Sequence, residues 1–146
     1  MTNVSKNIKL FLKSNEKIVS VLIGNSYTSS SNPLVRLFAG IMRIIALILG
    51  SPTRKTIVCT NSRIITENNQ KILYIFDYSS EVVAVAPRGI MQIGYKFQRS
   101  WIFFKNHYLT LVLSGTPQDL ILSKEGYNGV KDMMNAAESL REKVNK

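Results

Sequence analysis

From Arg54 to Ser123 the chain keeps returning to short runs of β-branched and aromatic residues separated by turn-forming residues; only after that does a long helical period begin. This order constrains the fold more than any other feature of the sequence. Strands that follow one another at short spacing pair as antiparallel neighbours, because parallel pairing needs a long crossover. The sheet they build must then be covered. Val130, Met133, Met134, Ala137, Leu140 and Val144 repeat at three and four residues, while Lys131, Asp132, Glu138 and Glu142 face elsewhere. One amphipathic helix after a β-meander is expected to close an open end of the sheet. The expected class is mainly β with added helices (α+β), arranged as a barrel or sandwich.

The individual strands read as follows. Thr56 to Thr66 is one β-branched run, Asn68-Asn69-Gln70 a turn, and Lys71 to Phe76 the returning strand. Glu81 to Ala86 is a further strand. Ile90 to Phe104 is a long strand or a pair, with Gly94 marking a bulge. Asn106-His107 is read as a turn before Tyr108 to Leu113, and Leu120 to Ser123 follows after Ser114-Gly115-Thr116-Pro117. Upstream, Val4, Ile8, Phe11 and Leu12 mark a helix over 4–13, and Glu16 to Ile23 a first strand. Gly24 to Asn32 is read as a polar loop. No internal repeat or long linker divides the chain, so residues 1–146 are read as a single domain.

The segment from Leu34 to Leu49 stands apart. Asn32 and Pro33 start a helix, and Gly50-Ser51-Pro52 ends it. Its only charges are Arg36 and Arg43, seven residues apart and therefore on one side. Leu34, Val35, Leu37, Phe38, Ile41, Met42, Ile44, Ile45 and Ile48 cover the rest. A helix apolar around most of its circumference is not buried by one sheet face. Its sixteen residues reach about 24 Å, short of the roughly 30 Å of hydrocarbon in a bilayer. Eleven large apolar side chains offer about −3 to −6 kcal/mol on the insertion scale, and Arg43 near the middle removes about 2.5–3.5 of it. Spanning is therefore marginal. Lying in the interface lets both arginines reach the headgroups. The alternative is burial against another copy of the chain.

Charge points the same way. The net charge is +10, and residues 1–55 carry eight Lys or Arg against one acid, Glu16. Such a balance attracts anions: nucleic acid, an acidic protein or an anionic bilayer. Lys9, Lys13, Lys17, Arg54 and Lys55 are the bases that would flank the helix, each adding about 1 kcal/mol if it faces an anionic leaflet. A single cysteine, Cys59, allows no internal disulfide and points to the cytoplasm. The first fifteen residues carry no secretory pattern.

Little in the sequence supports catalysis. His107 is alone, Cys59 lies inside an apolar strand, and the nine carboxylates are scattered. Metal-ligand spacing and phosphate-binding loops are absent, so no enzyme activity, cofactor or metal is expected. The run Tyr95 to Lys105 interleaves bases with aromatics, as a strand that stacks nucleic-acid bases would. Strand alternation explains the same aromatics as core, and nucleic acid is the least favoured partner.

Ile57-Val58-Cys59-Thr60-Asn61-Ser62-Arg63-Ile64-Ile65 resembles the hydrophobic-Thr-Asn-x-Arg-hydrophobic signature of the bacterial pleckstrin-homology-like domains, and Glu16-Lys17-Ile18-Val19 resembles the Glu-hydrophobic opening that precedes it. Tyr78 to Gly89 falls where such domains place a short strand before the second sheet. The likeness covers most of residues 14–145, with 33–52 as an apolar helical insertion. It implies a partly open β-barrel with a C-terminal capping helix, serving as a protein-interaction, oligomer-forming or membrane-associated module. The combined expectation is a non-catalytic module at the cytoplasmic face of an anionic membrane. It would recruit or assemble protein partners through Arg36, Leu37, Phe38, Ile41, Arg43, Ile44, Ile45, Ile48, Arg54 and Lys55. A soluble homo-oligomer joined through helix 33–50 is the alternative.

Overall fold

The computed structural model describes residues 4–28, 32–51, 53–100, 104–116 and 118–144, apart from the side chains of Thr28, Arg36 and Ser100. Its elements in chain order are α1 (Lys6–Phe11), β1 (Ile18–Thr28), α2 (Pro33–Ile48), β2 (Thr53–Thr60), β3 (Ile64–Ile72) and β4 (Phe76–Val85). A 3₁₀ turn (Pro87–Gly89) leads into β5 (Ile90–Ser100), β6 (Phe104–Leu113), β7 (Asp119–Ser123) and α3 (Gly126–Val144). All seven strands form one antiparallel sheet in the order β4-β3-β2-β1-β7-β6-β5. The sheet is not closed: β4 and β5 are consecutive in sequence yet form its two edges.

Strand alternation sends side chains to two separate cores. Leu22, Ile57, Cys59, Ile64, Leu109, Leu111 and Ile121 point inward and are sealed by Val130, Met133, Ala137 and Leu140 of α3. Their neighbours Val21, Val58 and Ile65 point outward and are covered by Val4 and Ile8 at α1. Strands β1 to β3 are thus buried on both faces, which explains why 56–66 reads as a continuous apolar run rather than an alternating one. α3 caps the sheet as its periodicity requires; Met133 is fully buried and Met134 only partly.

Several sequence expectations are corrected. The run 56–66 is two strands, folded at Thr60-Asn61-Ser62-Arg63. Asn68-Asn69-Gln70 lies inside β3, paired with Glu81, Ser80 and Ser79 of β4. The chain reverses instead at Leu73-Tyr74, both at positive φ (54° and 60°), with Ile75 N–H donating to the Ile72 carbonyl at 3.3 Å. Gly24 to Thr28 continues β1 rather than forming a loop, and Gly24 is required there because a Cβ would meet the Leu122 carbonyl oxygen at 2.2 Å. Asn106 and His107 sit within β6, paired with Gln98 and Phe97. The β5–β6 connection, with Trp101, Ile102 and Phe103, lies outside the described residues.

Candidate functional site: an exposed apolar helix joined to a strained hairpin tip

The helix α2 forms as its sequence requires. The Asn32 side chain accepts from Leu34 N–H at 3.0 Å, Pro33 occupies the first turn, and Gly50 adopts the left-handed conformation (φ 69°) past the end. What the sequence does not reveal is how little covers it. Leu34, Val35, Leu37, Phe38, Ile41, Met42, Ile44, Ile45, Leu47 and Ile48 are all exposed, Ile48 to 77%. One clear attachment is Arg43, whose guanidinium carbon lies 4.0 Å above the centre of the Tyr27 ring. Tyr27 in turn meets the Tyr108 ring edge-on at 6.2 Å, so Arg43 holds α2 beside the outer face of β1 and β6.

The second attachment is the β3–β4 hairpin tip. Tyr74 N–H donates to the Gly50 carbonyl at 2.8 Å, and the Tyr74 hydroxyl donates to the Leu47 carbonyl at 2.6 Å. Gly50 packs so closely that a Cβ would stand 2.7 Å from the Tyr74 ring and 2.8 Å from the Leu73 Cα. Ile72, Leu73, Tyr74, Ile75 and Phe76 at this tip are exposed, Ile75 to 74%. α2 and the tip therefore form one joined apolar surface with no acidic residue in either segment. The two left-handed residues are neither glycine nor asparagine, and each costs about 1–2 kcal/mol in backbone strain. Sequence reasoning missed the tip because Leu73-Tyr74 carries no turn chemistry. Its one visible signal was the unbroken run Ile-Leu-Tyr-Ile-Phe in a hairpin otherwise rich in Asn and Ser.

The sequence-derived site residues are only partly brought together. Leu37, Phe38, Ile41, Ile44, Ile45 and Ile48 belong to the exposed helix, and the Arg36 side chain lies outside the description. Arg54 and Lys55, adjacent in β2, point to opposite faces. Arg54 is exposed; Lys55 is buried and ion-paired with Asp119, so it is withdrawn from any surface role. Lys17 is also misplaced by the sequence reading. It lies at the other end of the sheet from α2, with its N–H donating to the Asn61 side chain at 3.0 Å.

That far end is tied by a polar clasp. Arg63 donates from Nε to Glu16 Oε1 at 2.7 Å and from Nη2 to Oε2 at 3.0 Å, while Nη2 also reaches the Phe11 carbonyl at 2.7 Å. The bidentate Arg63 bond, aided by Lys13 N–H and the Ser62 hydroxyl, overcomes burial and holds the Glu16 carboxyl at about 2 instead of the usual 4.5. The Thr-Asn-Ser-Arg signature and the upstream Glu are thus one structural unit that fixes the start of β1 to the β2–β3 turn.

Catalytic candidates fare differently. Burial pushes the Cys59 thiol up to about 11, far from a nucleophile's range. His107 is not a bare turn residue: its Nδ1 lies 2.7 Å from the Tyr95 hydroxyl, and its ring packs with Tyr95, Phe97 and Tyr127. Among the described residues no group of three or more His, Cys, Asp or Glu converges as a metal site. No described helix is long and apolar enough to cross a membrane.

The open antiparallel sheet, its C-terminal capping helix and the Glu-to-Arg clasp define a pleckstrin-homology-like fold, extended by the apolar helix α2. The crystal structure of a pleckstrin homology domain from Shewanella amazonensis SB2B is similar over 92% of both chains, with a TM-score of 0.51 and 12% sequence identity. No family model matches the chain, and no curated protein does.

Proposed function

We propose that this chain is a peripheral membrane-docking module that lays α2 and the β3–β4 tip into an anionic lipid interface, at the cytoplasmic face, and presents the rest of the fold to protein partners. The fold supports a binding module; the joined apolar surface carries the membrane reading. A helix alone could be waiting for another helix. A helix hydrogen-bonded to an apolar hairpin tip presents two exposed apolar segments side by side, a broad surface that suits an apolar solvent. Arg54 is exposed, and a long basic side chain can reach headgroups from beside an inserted apolar surface. The short helix suits an interfacial position, 5–10 Å deep, rather than a span.

The test is flotation with vesicles of mixed anionic and zwitterionic phospholipid across a salt series. The Debye length falls to about 3 Å at 1 M salt, so the charge term should vanish while insertion persists. Binding that declines with salt but does not reach zero supports the reading. A protein that stays in the soluble fraction at low salt, and self-associates through α2, refutes it in favour of the homo-oligomer.

A further inference from the structure

β7 is short, and its pairing with β1 runs only from Gly24 to Thr28. The earlier part of β1, Ile18 to Ile23, has β2 on one side and no described strand on the other. The Ile23 carbonyl accepts from Lys124 N–H at 3.0 Å, so the backbone groups of Ile23 face that side. Strand alternation turns those of Val21 the same way. Along this edge runs an open groove of about 650 Å³, walled by β1 and by one face of α3. Ile18 and Val19 are exposed on the strand side, and Glu125, Asp132, Asn135 and Ser139 line the helix side. Gly129 lets the helix approach: a Cβ there would stand 3.3 Å from Leu22 Cδ1 and 2.8 Å from Glu125 Cβ.

In a chain of net charge +10, this groove is lined by two carboxylates and by no Lys, Arg or His. We infer that the groove binds an extended, lysine- or arginine-bearing segment of a partner protein as an added strand beside Ile18–Leu22, its basic side chains meeting Glu125 and Asp132. Alternation leaves Val19 and Val21 of this segment with backbone groups toward the groove, about 7 Å apart, and β1 carries a bulge between Ile18 and Ser20. Main-chain hydrogen bonds would supply affinity, and the carboxylates would select the charge. The site lies on the clasp end of β1, away from α2, so it is independent of the membrane reading.

The probe is a fluorescein-labelled seven-residue peptide of alternating lysine and valine, read by anisotropy and by amide shifts of the whole chain. Its controls are the glutamate–valine analogue and two versions N-methylated at every second residue, one in each register. The lysine peptide should bind, with shifts at Val19–Val21 and at Asp132–Ser139. Glu125→Lys with Asp132→Lys should weaken it about tenfold or more, whereas Glu138→Lys on another face of α3 should not. One N-methylated register should lose binding and the other should not, because a strand pairs through alternate residues. No binding up to about 1 mM, equal binding of the glutamate peptide, indifference to N-methylation in both registers, or shifts confined elsewhere would each overturn the inference. Unchanged melting of the charge-reversed variant separates a lost contact from a lost fold.

Discussion

The helices α2 and α3 make opposite use of apolar residues. α3 buries one stripe, with Val130, Met133 and Ala137 fully out of solvent, and leaves the remainder polar. α2 is apolar on nearly every side, and its large apolar side chains all remain exposed, from 42% at Ile45 to 77% at Ile48. The sheet covers the apolar stripe of α3, whereas the described chain meets α2 through Arg43 and Tyr74 and leaves its large apolar side chains exposed. α3 completes the fold, whereas α2 is tied to it through Arg43, Tyr27 and Tyr74.

A buried charge should separate the two helices most clearly. Met133→Asp should destabilise by several kcal/mol, because an unpaired carboxylate in the inner core is costly. Ile41→Asp with Ile45→Asp should shift the midpoint of thermal or urea unfolding little, yet abolish the salt-resistant part of vesicle binding. Equal destabilisation by both variants would show that α2 is a core helix after all.

The clasp gives the next effect. Glu16 titrates at about 2 when folded, against 4.5 ordinarily. A depressed carboxyl favours the folded state once it is ionised. Its contribution is therefore full above pH 4.5 and is lost as pH falls toward 2. The shift corresponds to at most roughly 3 kcal/mol, less what solvent screening removes. Glu16→Gln should lower stability at pH 7 by about that order and flatten the acid limb of the stability–pH curve; a parallel curve would show that the clasp is not coupled to folding.

The hairpin tip gives a smaller effect. Leu73→Asn with Tyr74→Gly places residues suited to left-handed backbone at the hairpin tip. Relief of strain at the two positions, about 1–2 kcal/mol each, is offset in part by the lost Tyr74 bond to Leu47 and by the greater freedom of glycine in the unfolded chain, leaving a small net gain, and vesicle binding should weaken. A variant both more stable and equally well bound would show that the tip is not part of the docking surface.

The strand-rich middle of the chain, the capping helix and both ends of α2 were legible in the sequence, because periodicity, Asn32-Pro33 and Gly50 are local signals. The rest depends on partners distant in the chain. Asn68 and Asn69 carry turn chemistry but are overruled by pairing on both sides of β3, and the turn moves to Leu73-Tyr74, where Gly50 and Leu47 hold it. Arg54 and Lys55 looked alike as flanking bases, but period-two alternation sends one to solvent and the other to Asp119. The groove beside β1 follows from the shortness of β7, which no motif announces.

The central claim is that α2 and the hairpin tip enter the same lipid interface. Cys59 is buried with its thiol pushed up to about 11, so single cysteines placed elsewhere can be labelled selectively in the folded protein. An environment-sensitive nitrobenzoxadiazole label at Ile48, at Ile75 or at Glu138 would be followed on addition of anionic vesicles. Joint insertion of α2 and the tip requires a blue shift and protection from an aqueous quencher at both Ile48 and Ile75, and neither at Glu138. A response at Ile48 alone, or at none of the three, would contradict it.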